Sequence, residues 1–304
     1  MQFPAISVVM SVFNASHYLA AAVDSILAQS FADFEFIIID DGSDDGSQRM
    51  LQEYESYDSR IRVIRQQNTG LTRALNAGLR QSHGAWIARM DADDVAMPNR
   101  LAMQVDYLRT HPECVAVGSH VILTDPDGDP LTENEVPHTH ESIVAQLRLG
   151  IGAVPHPTAM MRRDAVFAVG GYEESYTCAQ DLDLWLRLAE VGKLANFPGA
   201  LLQYRLHPKS ITSQQRDLQL KSAERAVREA YERNNESLPV DFQLPRSPIP
   251  TVERTYRSWA RMAWRSGNRA VAQKHAWNAF RIAPLSFSNL GIARLLVSRR
   301  AKAA

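Results

Sequence analysis

The sequence has no long hydrophobic run and very few cysteines. None of its uninterrupted apolar stretches approaches the roughly 18 to 20 residues that span a membrane. Its start, Met-Gln-Phe-Pro-Ala-Ile-Ser, lacks the basic and apolar regions of a secretion signal, so a cytoplasmic protein is expected. The two cysteines, Cys114 and Cys178, form neither a metal-ligand cluster nor a disulfide framework.

Two glycine-rich phosphate-binding patterns are also missing, the dinucleotide fingerprint and the P-loop. A glycine loop that cradles phosphate is therefore not expected. The chain does have 45% apolar residues, which can supply a sizeable core for one large domain or a domain with an appendage.

The net charge of -1 hides an uneven distribution. From Arg216 onwards there are 17 Lys and Arg against 7 Asp and Glu, whereas the preceding part has 16 against 27. Such an acidic first part is not typical of a nucleic-acid binder. The basic region can contact anionic lipid or an acidic partner, and a solvated helix face explains its charge equally well.

Three carboxylates follow one short apolar run. Residues 86–94 predict a buried strand that ends in Asp91, Asp93 and Asp94. Repulsion among these acids must be relieved by hydrogen-bond donors or a divalent cation. The alternative is that they cap the helix beginning near Pro98, although one Asp suffices for a cap. Open α/β sheets bind ligands at the carboxyl ends of their strands, which favours a metal-diphosphate site.

Strand and helix patterns alternate through the first hundred residues. Apolar, β-branched runs predict four strands, and segments with helical spacing separate them. This alternation argues for an α/β fold with a mixed, mostly parallel sheet and helices on both faces. The strand ends expected at its ligand edge are 11–14, 40–41 and 91–94.

The pattern changes after Ser213. A helix rich in Arg and Glu follows, and four prolines within about 235–250 mark a linker. Two amphipathic helices around a turn at Ser266 then predict a helical hairpin. We therefore expect one domain over residues 1–212 and a helical C-terminal region over residues 213–304.

Several short motifs occur in an order that resembles the family 2 inverting glycosyltransferases of the GT-A fold. In chain order these motifs are Val8-Val-Met-Ser-Val-Phe-Asn14, Ile39-Asp-Asp-Gly-Ser43, Asn68-Thr-Gly-Leu71 with Ala74-Leu-Asn76, Met90-Asp-Ala-Asp-Asp94, Gly170-Gly-Tyr172, Gln180-Asp-Leu-Asp-Leu-Trp185 and Tyr204-Arg-Leu-His207. The resemblance covers roughly residues 6–212. Each motif is weak alone, but unrelated chains rarely contain all of them in this order.

The resemblance implies a site for a nucleotide-diphosphate sugar, with a UDP- or dTDP-sugar favoured. Asp41 would accept a hydrogen bond from the imide N–H of uracil or thymine, which suits an acceptor-only carboxylate. Asp93 would hold Mn²⁺ or Mg²⁺ on the diphosphate, and His207 is either a further ligand or a structural histidine. The other residues that the motifs place around the nucleotide are Ser11, Phe13, Asn14, Arg73 as a basic contact, and Asp91 at the ribose.

By the same resemblance, Asp181 is the general base. Its carboxylate would remove the acceptor hydroxyl's proton while that oxygen attacks the anomeric carbon opposite the nucleotide, which inverts the configuration. Gln180 stands where the family often has Glu, and helix capping is the alternative explanation for Asp181. Gly171 and Tyr172 are assigned to the acceptor side.

The Gln-x-x-Arg-Trp pattern of processive family members is missing, so one sugar per encounter is expected. The implied acceptor is a glycan or lipid-linked glycan of a bacterial surface polysaccharide, with peripheral contact to the cytoplasmic face of the membrane through the basic C-terminal region. Two alternatives remain. A non-catalytic nucleotide-sugar-binding scaffold has no need of Asp181, and a sugar nucleotidyltransferase usually has a Gly-rich, basic loop where this chain has Ser11-Val-Phe-Asn-Ala-Ser16.

Overall fold

The computed structural model describes residues 3–207, 216–244, 250–289 and 291–292. Its strands are β1 (Ile6–Val12), β2 (Phe34–Asp40), β3 (Ile61–Arg65), β4 (Trp86–Asp91), β5 (Val95–Ala96), β6 (Cys114–Thr124), β7 (Pro130–Asn134), β8 (Met160–Arg162) and β9 (Lys193–Arg205). Its α-helices are α1 (Leu19–Leu27), α2 (Ser47–Tyr57), α3 (Leu71–Gln81), α4 (Arg100–Thr110), α5 (His140–Leu147), α6 (Arg163–Ala168), α7 (Gln180–Ala189), α8 (Arg216–Arg233), α9 (Val252–Arg265) and α10 (Arg269–Ile282). Two prolines of the predicted linker, Pro245 and Pro248, lie outside the described residues.

The first four strands run parallel, as the alternating pattern predicts. Strand β1 lies between β2 and β4, and β3 continues the sheet beyond β2. In this register Ser11 pairs with Ile39 on one side and with Asp91 on the other. The carboxyl ends of β1, β2 and β4 therefore meet at one edge of the sheet.

The remaining strands make the sheet mixed. Strand β8 runs antiparallel to both β4 and β6. The full order is β3-β2-β1-β4-β8-β6-β9-β5, with β7 paired to β6. Apolar residues of helices α5, α7 and α8 share one buried cluster with sheet residues, among them Leu147, Trp185, Val227 and Val9. The predicted fold class, a mixed and mostly parallel α/β sheet with additional C-terminal helices, is confirmed.

Two strands differ from what the pattern predicts. The apolar run at 201–205 predicts a strand, but β9 begins eight residues earlier, at Lys193. The pattern misses this first part because Pro198 and Gly199 are unfavourable inside a strand. Strand β5 has only two residues, so it can pair with a small part of β9 at most. Strand β7 lies in a stretch whose weak pattern predicts a single helix, and three of its five residues are polar.

The chain forms two compact units that alternate along the sequence. The first contains the described residues of 1–121, 135–202 and 217–244, and the second those of 122–134, 203–216 and 245–304. The second unit includes the predicted helical hairpin, α9 and α10, which share a buried cluster around Trp259, Ala263 and Ala272. The domain boundary predicted at residue 212 stays a prediction. No helix in the described ranges combines the length and apolar character that a bilayer span requires.

Candidate active site

The loops that follow β1 and β2 are joined at the carboxyl edge of the sheet. The backbone N–H of Asn14 donates to Ser43 Oγ at 3.1 Å, and Asn14 Oδ1 accepts from the N–H of Asp44 at 2.9 Å. Asn14 has a φ of +51°, a left-handed conformation that Asn tolerates better than most residues. Phe13 beside it is half exposed, and Ser11 lies next to Asp91 across the β1–β4 ladder. The sequence-predicted residues Ser11, Phe13 and Asn14 thus lie at one edge.

Asp41 is buried and holds the loop that leads into α3. Its Oδ1 accepts from Gln66 Nε2 at 2.7 Å and from the N–H of Thr69 at 2.9 Å, with a longer bond of 3.2 Å from Thr69 Oγ1. Its Oδ2 accepts from the N–H of Gly70 at 2.9 Å. The sequence did not predict these partners, because they lie at least 25 residues further along the chain. The nearby Arg73 forms an exposed ion pair with Glu174 at 3.3 Å.

The three predicted carboxylates form one cluster. Asp91, Asp93 and Asp94 each offer an oxygen, and these oxygens all lie within 4.8 Å of one another. Helix α4 begins only at Arg100 with Asn99 at its N-cap and no side-chain cap bond, so the capping interpretation of the acids is wrong. Oxygen-only donors at this spacing fit a hard divalent cation such as Mn²⁺ or Mg²⁺.

A buried guanidinium lies beside the carboxylates. Arg89 is 3% exposed and forms an ion pair with Asp91, two residues further along β4. Burial opposes the charge of Arg89, but the Asp91 carboxylate raises the Arg89 pKa overall. Sequence reasoning missed this residue. A signal was present, because residues two apart on a strand share a face and Arg89 is the charged residue in an otherwise apolar run.

Asp181 lies in the first turn of α7, directly after Ala179 and Gln180. Burial raises its carboxyl pKa, although the N–H of Leu182 at 2.9 Å and the charge of Arg89 act in the opposite direction. Asp181 also raises the pKa of Asp91, in addition to the larger effect of burial. The predicted base is therefore within electrostatic reach of Asp91, the predicted ribose carboxylate, on which the charge of Asp93 also acts.

The predicted acceptor-side residues are buried. The hydroxyl of Tyr172 lies 2.7 Å from Nε2 of His156, and burial raises the Tyr172 pKa. Burial and the charge of Arg89 together lower the His156 pKa well below its usual value, so this imidazole is neutral. A Cβ on Gly171, whose φ is +72°, would lie 3.0 Å from Asn76 Oδ1. Gly171 and Tyr172 shape the loop in front of α7, and a direct acceptor contact stays a prediction.

His207 follows β9 in the second unit, whereas Asp93 belongs to the first. Its predicted role as a metal ligand stays a prediction.

A second carboxylate cluster, within the second unit, already holds a cation of the protein itself. Asp125, Asp127 and Asp129 lie around the ammonium of Lys274, whose Nζ is 2.6, 2.6 and 2.7 Å from one oxygen of each. Nε2 of His275 is 2.9 Å from the same oxygen of Asp125. The Lys274 charge therefore offsets the repulsion that a divalent ion offsets in other acidic loops.

Comparison with known proteins agrees with this architecture. The sequence pattern of "Glycosyl transferase family 2" matches residues 7–169, more than half of the chain. An uncharacterized glycosyltransferase of Haemophilus influenzae is 31% identical over 74% of this chain and 73% of its own length. The O-antigen biosynthesis glycosyltransferase WbnJ of Escherichia coli is 34% identical over 67% of this chain and 81% of its own length.

Solved structures extend the likeness in fold. The mannosyltransferase PcManGT of Pyrobaculum calidifontis, in complex with GDP-Man and Mn²⁺, has a TM-score of 0.58 at 17% identity, covering 97% of this chain and 79% of that one. S. aureus TarS in complex with UDP has a TM-score of 0.55 at 16% identity, covering 89% of this chain and 82% of that one. With the family match and the relatives in sequence, the conclusion is that this chain belongs to the family 2 glycosyltransferases and has the GT-A fold.

Proposed function

We propose that the chain transfers one sugar from a UDP- or dTDP-sugar to an acceptor hydroxyl, with inversion and with Mn²⁺ or Mg²⁺. The observation that carries this proposal is the position of the Asp91, Asp93 and Asp94 cluster. It lies at the carboxyl edge of the parallel strands, within electrostatic reach of Asp181. Ligands of open α/β sheets bind at this edge.

Asp41 is proposed to recognise the base. Among the described residues its Oδ1 accepts three hydrogen bonds, but its Oδ2 accepts only the one from Gly70. A carboxylate has about four acceptor positions, which supports a further bond from an imide N–H to Oδ2. Because an ionised carboxylate has no hydrogen to donate, Asp41 cannot bond a base edge that presents only acceptors.

The rest of the nucleotide is proposed to contact the same edge. Asp91 takes the ribose, because its ion pair with Arg89 already supplies it with a cation. Arg73 is exposed on α3 and can exchange Glu174 for a phosphate. Ser11, Phe13 and Asn14 form the wall of the pocket at the end of β1.

The divalent ion is proposed to bind at Asp93. Bound there, it would neutralise charge on the diphosphate leaving group. Three carboxylates with oxygens within 4.8 Å fit such an ion, because hard cations prefer oxygen ligands.

The proposed chemistry uses Asp181 as the base. Its carboxylate accepts the proton of the acceptor hydroxyl, whose oxygen forms a bond to the anomeric carbon as the bond to the diphosphate breaks. Attack from the face opposite the leaving group inverts the configuration. Burial supports this role, because it raises the Asp181 pKa and makes the carboxylate a stronger base.

The acceptor is proposed to be a glycan or lipid-linked glycan of a cell-surface polysaccharide. The similar proteins that support this include the O-antigen biosynthesis glycosyltransferase WbnJ and the putative teichuronic acid biosynthesis glycosyltransferase TuaG of Bacillus subtilis. Gly171 and Tyr172 are proposed to shape the acceptor side through the loop they begin. A cytoplasmic location with peripheral membrane contact belongs to the same proposal.

Isothermal titration with UDP, dTDP, GDP and CDP, each with and without Mn²⁺, tests the proposal. Manganese-dependent binding of UDP or dTDP alone is the expected result. Tight GDP binding would overturn the choice of a UDP- or dTDP-sugar, because guanine also presents N–H groups to a carboxylate, and no binding at all would refute the proposed donor site.

A pair of variants identifies the metal site in the same titration. Asp93→Ala should abolish the manganese dependence of nucleotide binding. Asp127→Ala removes a carboxylate of the second cluster and should leave that dependence unchanged, because Lys274 already occupies this cluster. The opposite pattern would place the ion in the second cluster.

A further inference from the structure

The segment in front of α7 has a conformation that its own sequence does not favour. Ala179, two residues before Asp181, has a φ of +56°. A left-handed conformation is unfavourable for a residue with a side chain, so neighbouring groups must hold it in place. The contacts of residues 172–179, together with the packing of α7, therefore set where Asp181 lies.

One side of this segment is bonded to α3 through Asn76. The Nδ2 of Asn76 donates to the carbonyl of Tyr172 at 2.7 Å, and its Oδ1 accepts from the N–H of Tyr172 at 3.0 Å. Both ends of one buried amide are thus used on one residue of the segment. Asp in place of Asn would keep the acceptor and lose the donor.

A second bond from α3 lies one helical turn earlier. The buried hydroxyl of Thr72 donates to the carbonyl of Tyr176 at 2.6 Å. Thr72 is in the first turn of α3, and the two residues before that helix, Thr69 and Gly70, donate their N–H groups to Asp41. A single short helix is therefore bonded at its start to Asp41 and along its side to the segment that carries Asp181.

The other side of the segment is bonded to α8, for which the described residues show no bond to Asp41. The hydroxyl of Tyr176 donates to Glu229 of α8 at 2.8 Å, and Arg225 lies over the Tyr176 ring at 4.4 Å. This second attachment supplies a matched control. Tyr176→Phe removes the bond to Glu229 and keeps the carbonyl that Thr72 uses.

We infer that Thr72 and Asn76 are positioning residues that set Asp181 relative to the nucleotide and connect nucleotide occupancy at Asp41 with order in residues 172–179. This inference rests on the proposed function for the roles of Asp41 and Asp181. The bonds themselves do not depend on it. An ordered loop around Asp41 favours one position of α3, and α3 in turn holds the segment through two buried bonds.

Hydrogen exchange of the full chain, free and with UDP and Mn²⁺, tests the inference. In the free protein, Thr72→Val should speed exchange at residues 172–181, whereas Thr72→Ser, which keeps the hydroxyl, should match the wild type. Adding UDP should slow exchange in this segment in the wild type, in Thr72→Ser and in Tyr176→Phe, but not in Thr72→Val or Asn76→Asp.

Kinetics separate positioning from general damage. Thr72→Val should lower kcat about tenfold while the affinity for UDP changes less than about threefold, because misplacement of the base affects transfer and not donor binding. The inference would be overturned if Thr72→Val had the kcat and the hydrogen exchange of the wild type. It would also be overturned if Thr72→Ser failed to restore both quantities. A wild type that binds no nucleotide would instead refute the proposed function, and the exchange of the free variants would still decide whether Thr72 holds the segment.

Discussion

Arg89 is a positive charge buried among the carboxylates of the candidate site. Its pairing with Asp91 relieves part of the repulsion that three neighbouring acids create. Its charge also lowers the pKa of Asp181, which burial raises. The same charge lowers the pKa of His156, and burial lowers it further. Arg89 thus favours the ionised form of these acids, against the effect of burial, and the neutral form of the imidazole before a ligand arrives.

Asp181→Asn should stop sugar transfer and leave nucleotide binding unchanged. The amide cannot accept the acceptor's proton, and general-base catalysis contributes roughly 10²–10⁴-fold, so transfer should fall by that factor. Burial raises the Asp181 pKa, and the base works only when ionised, so wild-type kcat should fall with decreasing pH at values above those of an ordinary Asp. Transfer rates across the acid range, with UDP titration of the variant, measure both effects.

Asp164 provides the matched control for Asp181. It also lies in the first turn of a short helix, and its carboxylate accepts from the next backbone N–H at 2.8 Å, as Asp181 does at 2.9 Å. Asp164 is exposed and lies outside the acidic cluster. Asp164→Asn should keep full transfer. Equal losses in both variants would mean that Asp181 acts only on the helix terminus.

At the residue scale, the sequence predicted local clusters well and distant partners poorly. Asp91, Asp93 and Asp94 are adjacent in sequence, so their proximity needed no fold. The bonds of Asp41 with Gln66 and Gly70 depend on how the loop before α3 returns to the sheet, which no local pattern encodes.

The secondary-structure elements show the same distinction. Strands β1 to β4 were predictable, because a parallel strand covered on both faces requires a continuous apolar run. Only the second half of strand β9 was predicted, because Pro198 and Gly199 are typical of a break in a strand. The strand continues through them in a sheet where its neighbour β5 has only two residues, and the sequence does not reveal that neighbour. Helix α8 was predicted as part of the C-terminal region, and its packing with α5 and α7 was not.

Lys274→Met should destabilise the second unit through the Asp125 to Asp129 loop. The variant leaves three carboxylates around an apolar side chain, and loss of a partly buried charge partner should lower the free energy of unfolding by about 1–3 kcal/mol. Millimolar Ca²⁺ should recover part of that loss in the variant and leave the wild type unchanged, because the three oxygens can then hold a metal ion. Urea unfolding with and without Ca²⁺ is the measurement.

Lys221→Met controls for the loss of a lysine. Lys221 is exposed on α8, outside the carboxylate loop, and its replacement should change the unfolding free energy by less than about 0.5 kcal/mol. Wild-type stability in Lys274→Met would contradict the role of the ammonium as the cation of this loop.

At the scale of the whole chain, the uneven charge has a structural counterpart in the hairpin of α9 and α10. Besides Lys274, whose charge the carboxylate loop offsets, helix α10 contains Arg269 and Arg281 and no acidic residue. Exposed apolar residues accompany this charge, since Trp277 is 53% and Leu285 93% exposed. A basic helix with exposed aromatic and aliphatic side chains is typical of proteins that lie on an anionic membrane surface.

Anionic vesicles should therefore bind the protein through this face of α10. The exposed half of a Trp side chain has on the order of 100 Å² of apolar surface, worth about 2.5 kcal/mol when fully buried, so Trp277→Ala should weaken binding to phosphatidylglycerol vesicles at least about tenfold. Arg281→Ala should weaken it about fivefold, because a basic residue at the surface contributes about 1 kcal/mol, and high salt should remove that difference. Vesicle sedimentation of the full chain measures both.

Tyr57→Ala is the control for the loss of an exposed aromatic side chain, because Tyr57 is 85% exposed at the end of α2 in the first unit. It should bind vesicles as the wild type does. Equal binding to neutral phosphatidylcholine would rule out the charge contribution of Arg281, and unchanged binding in Trp277→Ala would place the contact elsewhere. Because transfer to a soluble acceptor does not require a membrane, all these variants should keep wild-type kcat on such an acceptor, which separates membrane contact from catalysis.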